Sequence, residues 1–105
     1  MIVEILVTTD CPNEDRAIDL VGMAASALEM TPKVVLVEVA DLSDALRQRF
    51  PGSPTIRIDG RDVSPPSGGE VSLSSRTYAT SHGPSAVPEF ALLIAAMESA
   101  TNVGG

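Results

Sequence analysis

The chain is poor in the residues that carry most protein chemistry. Among its 105 residues there are one cysteine, one histidine, one tyrosine, two phenylalanines and no tryptophan. One cysteine permits no intrachain disulfide, which excludes a disulfide-stapled secreted scaffold. One histidine and one cysteine make no cluster with the spacing of a zinc site, so no metal is expected. Positive charge is also scarce: Lys and Arg number 7 against 14 Asp and Glu, a net charge of -7. A surface of that sign repels phosphate backbones, so neither nucleic acid nor an anionic membrane is expected as a partner. Long apolar runs are missing as well. The longest, Phe90 to Met97, falls far short of the roughly 20 residues that cross a bilayer. No basic segment or long apolar stretch follows Met1. The expectation is therefore a chain with neither signal peptide nor anchor, placed in the cytoplasm, where a lone thiol stays reduced unless it is in use.

What is present is an ordinary globular composition. The 44% apolar and 20% charged residues suit one core in one domain, taken as residues 1–105. Residues 2–8 read as a strand rich in β-branched side chains. Cys11-Pro12 follows, and Pro12 is suited to the first helical position. Asn13, Glu14 and Asp15 suit a first turn through the helix dipole. Ile18, Val21, Ala25 and Leu28 then make one apolar stripe, predicting a helix from Pro12 to about Met30. Residues 33–40 are almost continuously apolar, as expected of a strand buried on both faces. Leu42, Ala45, Leu46 and Phe50 form a short helical stripe, with Asp41 or Ser43 as its cap.

Ile56 and Ile58 alternate with polar residues in a third strand, and Asp59-Gly60 is a hairpin turn signal. Arg61 to Val63 reads as a short return strand, its edge blunted by Asp62 and the prolines after it. From Ser64 to Ser85 the chain is rich in Ser, Gly and Pro, too long a stretch for an idle connection. Val71 to Tyr78 is expected to add a little extended structure there. Phe90, Leu93, Ile94 and Met97 mark a last helix from about Val87 or Pro88, and residues 101–105 are expected to fray.

Chemistry centres on Cys11. It precedes the first helix, where unpaired N–H groups and the dipole favour the thiolate, the reactive form. Asp10, Glu14 and Asp15 oppose that effect, and no basic residue is nearer in sequence than Arg16. The bland alternative is a small buried hydrophobe. Tyr78 is expected to pack, and His82 to be solvated in its loop.

The order β-α-β-α-β-β-α, with Cys11 at the first strand–helix junction and Pro54 opening the third strand, resembles the thioredoxin-like superfamily. Val-Glu-Ile-Leu, Cys-Pro-Asn and Arg-Phe-Pro-Gly-Ser-Pro-Thr-Ile-Arg-Ile-Asp-Gly-Arg-Asp-Val look like small bacterial single-domain thioredoxin-like proteins. Some of these are labelled alkylmercury lyase-like. The resemblance implies an α/β thioredoxin-like fold: a mixed four-stranded sheet, helices on both faces, and a long loop before the last helix. It implies a cis Ser53–Pro54 bond facing Cys11, with the Ser53 backbone open to an extended peptide or thiol. Pro12, Ser53, Pro54, Thr55 and Arg76 would then line a ligand groove, Arg76 approaching Cys11 or an anion bound there.

Two departures narrow the implied activity. Glu14 stands where thioredoxins carry the resolving cysteine. Ser75 stands where such sequences often carry another, in a Leu-x-Cys-Arg-x-Tyr stretch. Soft-metal and organomercurial chemistry wants two or more thiolates, and a dithiol cycle needs a resolving one. The expected function is monothiol thiol–disulfide exchange at Cys11 with a protein or small-molecule partner, glutathione being the possible co-substrate. A non-catalytic binding module with a vestigial cysteine is one rival. A partner-dependent structural subunit, its 64–85 loop ordering on contact, is another.

Overall fold

The backbone alternates strand and helix through its first sixty residues because its apolar period alternates between two and about 3.6. In the computed structural model, which describes residues 1–102, this yields β1 (Ile2–Thr8), α1 (Glu14–Ala27), β2 (Lys33–Val39), α2 (Leu42–Gln48), β3 (Thr55–Ile58) and β4 (Arg61–Asp62). The chain continues through β5 (Tyr78–Thr80), β6 (Gly83–Ser85) and α3 (Phe90–Asn102). The main sheet has four strands in the order β2-β1-β3-β4, and β5 and β6 form a separate two-stranded sheet. β1 runs parallel to β2 and antiparallel to β3, so the main sheet is mixed.

The alternation of β1 divides the core. Val3, Ile5 and Val7 face one side, where Ala17, Val21 and Ala24 of α1 and Leu93 and Met97 of α3 close over them. Leu6 faces the other, against Val39, Ala45 of α2 and Phe50. Burial on both faces suits β1 to its inner place between β2 and β3.

β2 corrects one expectation. It lies at the sheet edge, and Val34 and Leu36 are 48% and 49% exposed. Its apolar run reflects β propensity rather than two-sided burial. Leu42 and Leu46 of α2 are likewise exposed, and only Ala45 and Phe50 of the expected stripe are buried. The reason is that α2 spans only seven residues, about two turns, and presents one narrow face.

Local signals set the ends of the elements. Asp41 caps α2: its Oδ1 accepts the Asp44 N–H at 2.9 Å, and Asp44 Oδ2 accepts the Ala40 N–H at 3.2 Å. Asp41 is thus a side-chain N-cap, and Asp44 reaches back one residue beyond it. Asp59 and Gly60 have φ of 48° and 85°, the two left-handed positions of a type I′ hairpin. Asp59 also ties the hairpin to β1, donating its N–H to Ile2 C=O and accepting the Ile2 N–H at Oδ1, both at 2.8 Å.

Three expected boundaries shift. α1 begins at Glu14 rather than Pro12, because Pro12 and Asn13 sit in a turn in which Glu14 N–H bonds Cys11 C=O. α1 ends at Ala27, and the chain turns away through Glu29 at φ 54°. α3 begins at Phe90 after Pro88, and Leu93 N–H bonds Glu89 C=O. Thr101 and Asn102 are helical rather than frayed. The rest of the expected fray, 103–105, lies outside the described residues. Among the described residues no helix is long and apolar enough to cross a membrane.

Candidate functional site

β1 delivers the chain to Cys11 at its carboxyl end, the side of an α/β sheet where ligands collect. Asp10 takes φ 57°, the left-handed region that Asp tolerates. This lets the strand turn sharply, and Cys11 N–H bonds Thr8 C=O at 3.3 Å. Cys11 is a free thiol, part exposed and part packed against the larger core cluster. Pro12 beside it is exposed, and Glu14 is half-buried at the first position of α1. Thr9 donates to Glu38 Oε1 at 2.6 Å, which adds a carboxylate near the same turn.

The second half of the site is the entry to β3. The Ser53–Pro54 bond is cis. Ser53 Oγ accepts the Thr8 N–H at 3.0 Å, so a single residue, Thr8, links Ser53 to Cys11. Ser53 and Cys11 are thus joined through Thr8, but the entry to β3 is not an open groove. Ser53 and Thr55 are 2% and 0% exposed, and Pro54 is equally buried. Thr55 turns its hydroxyl inward to Gly52 C=O at 2.7 Å. Of the six residues expected at the site, only Cys11 and Pro12 offer appreciable surface at this turn.

The Ser53 backbone is also occupied. Its N–H donates to Ser74 C=O at 3.0 Å, and its C=O accepts the Arg76 N–H at 2.9 Å. Ser53 and Ser75 thus form a one-residue parallel pairing. The expected opening to an extended ligand is filled by the chain's own segment, because backbone groups this buried need partners. Gly52 allows the approach. It sits at φ +140°, and a Cβ there would lie 3.0 Å from Arg76 Cβ.

Arg76 differs most from its expected role. Its guanidinium contacts neither Cys11 nor open solvent: Nη1 bonds Asp62 Oδ2 at 2.8 Å and Thr55 Oγ1 at 3.1 Å, and Nη2 bonds Ser64 C=O and Asp62 Oδ1. It stacks on the Tyr78 ring, 4.4 Å from the centroid, a favourable place for a cation. Tyr78 is buried, as expected of a packing residue, and donates its hydroxyl to Pro54 C=O at 2.6 Å. Burial pushes the Tyr78 phenol well above its ordinary range, with Arg76 pulling in the opposite direction. Arg76, Asp62 and Tyr78 therefore hold the 64–85 stretch against the entry to β3.

Asp62, expected only to blunt the edge of the return strand, is instead the ionic partner of Arg76. One signal was available. Arg76 is the only Lys or Arg after Arg61, and a lone cation in an apolar and small-residue stretch needs a carboxylate if it is to be buried. His82, expected in solvent, is exposed at the tip between β5 and β6. Comparison with family models, with curated proteins and with solved structures returns no significant match to this chain.

Proposed function

We propose that the chain is a thioredoxin-like protein of the thiol–disulfide class, acting as a monothiol through Cys11. The strand order β2-β1-β3-β4 and the parallel β1-α1-β2 unit support the fold reading. One observation carries the functional reading: the sole cysteine is part exposed at the carboxyl end of β1, an inner strand, and is linked through Thr8 to Ser53 at the entry to β3. The Cys11 thiolate attacks one sulfur of a disulfide. A Cys11 mixed disulfide forms, the original S–S bond breaks, and the other half leaves as a thiolate. Glu14 cannot resolve the product, so an external thiol attacks the mixed disulfide, leaves as the new disulfide and regenerates Cys11. Glutathione is the candidate co-substrate.

The test is thiol modification of the folded protein. Iodoacetamide at neutral pH is expected to alkylate Cys11, and a small disulfide to form an adduct that glutathione reverses. Inertness of Cys11 in the folded chain, with ready alkylation in urea, overturns the proposal. A second reading, a non-catalytic module that keeps the fold and a vestigial cysteine, draws on the burial of Ser53, Pro54 and Thr55. Unchanged cellular function in Cys11→Ser is the result expected of it.

A further inference from the structure

We infer that the segment Ser72–Arg76 serves as a built-in strand at the Ser53 edge, so that the partner of Cys11 is a low-molecular-weight disulfide and not an extended polypeptide. This rests on the thiol reading of Cys11 and specifies its substrate class. An extended peptide docks on a sheet edge by pairing its backbone with free N–H and C=O groups. At the entry to β3 those groups are spent: Ser74 C=O takes the Ser53 N–H, Arg76 N–H takes the Ser53 C=O, and Ser72 N–H takes the Phe50 C=O. The segment is clamped from its far side. Arg76 is held by Asp62, Thr55 and Ser64, and Tyr78 by Pro54 C=O. Gly52 packs so closely on it that no side chain fits between, an added Cβ meeting Ser74 C=O at 3.1 Å. A polypeptide would have to displace these bonds to pair with the Ser53 backbone. A small disulfide needs none of them, since Cys11 and Pro12 keep exposed surface of their own.

The experiment uses two activated disulfides with the same aromatic leaving thiolate. One is carried on a small alkyl thiol and the other on the central cysteine of an extended peptide, the latter prepared with and without N-methylation of its backbone. The Cys11 thiolate attacks the alkyl or peptide sulfur, the new S–S bond forms, and the aromatic thiolate leaves and is read by its colour. The expected result is that the peptide reacts no faster than the small disulfide and that N-methylation changes nothing. An advantage of about tenfold for the unmethylated peptide, the worth of one or two backbone hydrogen bonds, overturns the inference. Failure of every probe to react instead removes the thiol reading. The edge is then judged separately by amide exchange: slow exchange at Ser53 and Arg76 supports the built-in strand, and exchange at the rate of an open loop overturns it.

Discussion

Asp62 and Arg76 form a nearly buried ion pair, Oδ2 to Nη1 at 2.8 Å, across a sequence separation of 14. Their side chains are only 12% and 8% exposed. The pair closes the 64–85 stretch onto the β3–β4 hairpin, and its geometry leaves neither partner unsatisfied.

Asp62→Ala is expected to destabilise the fold by about 3 kcal/mol, because it strands a buried guanidinium. Urea denaturation measures this. Arg76→Met combined with Asp62→Leu is expected to cost less than the sum of the two single variants, since no uncompensated charge remains. Additive losses would mean that the two charges are independent.

Tyr78 is expected to contribute an alkaline limb to the stability profile. Burial raises its phenol above the ordinary 10.0. The neutral phenol's contribution is therefore complete below about pH 10 and is lost as pH rises from there towards the folded value. Tyrosinate absorbance should not develop at pH 10 while the chain stays folded. It should appear together with loss of ellipticity. In Tyr78→Phe this alkaline limb should be absent, at a cost of about 1 kcal/mol near neutrality for the lost hydrogen bond to Pro54.

Two glycines should respond oppositely to alanine. Gly52 has φ +140° and meets Arg76 within 3.0 Å of an added Cβ, whereas Gly22 has nothing within 4 Å. Gly52→Ala is expected to lose about 2 kcal/mol or more through strain and displacement of the 72–76 segment. Gly22→Ala, inside α1, is expected to gain about 0.5–1 kcal/mol. Thermal unfolding of both variants decides this.

Leucines on the two strands should also separate. Leu6 of β1 is fully buried and Leu36 of β2 is 49% exposed. Leu6→Ala is expected to cost about 2–5 kcal/mol through transfer and cavity terms. Leu36→Ala should cost under about 1.5 kcal/mol, roughly half the value of a buried leucine. Equal losses would contradict the edge placement of β2.

Protonation of Glu89 should be felt on the acid side. Hydrogen bonds from the Ser81 hydroxyl and N–H hold its carboxyl below the usual carboxylate range. Its contribution is present above the unfolded value and fades as pH falls through the folded one. Ser81→Ala should shift the Glu89 titration, followed by NMR, back towards the ordinary value.

The local elements were legible in the sequence because their causes are local. Asp59-Gly60 specified a two-residue hairpin through its tolerance of positive φ, and of the two cap candidates, Asp41 and Ser43, the structure uses Asp41 through a contact three residues away. β1 was legible from its β-branched content, and Val21 and Ala25 of the α1 stripe are buried, whereas Ile18 of that stripe is 38% exposed. The position of Cys11 between a strand and a helix followed from the same reading.

What only the tertiary structure decided depends on which distant segments meet. An apolar run such as Val34 to Val37 reads alike at a sheet centre or at an edge, since period and propensity carry no information on the neighbour. The closure of the Ser53 edge by Ser74 and Arg76 and the pairing of Arg76 with Asp62 arise from backbone groups and charges far apart in the chain. Burial obliges those groups to find partners, but it does not write the partners' names into the local sequence.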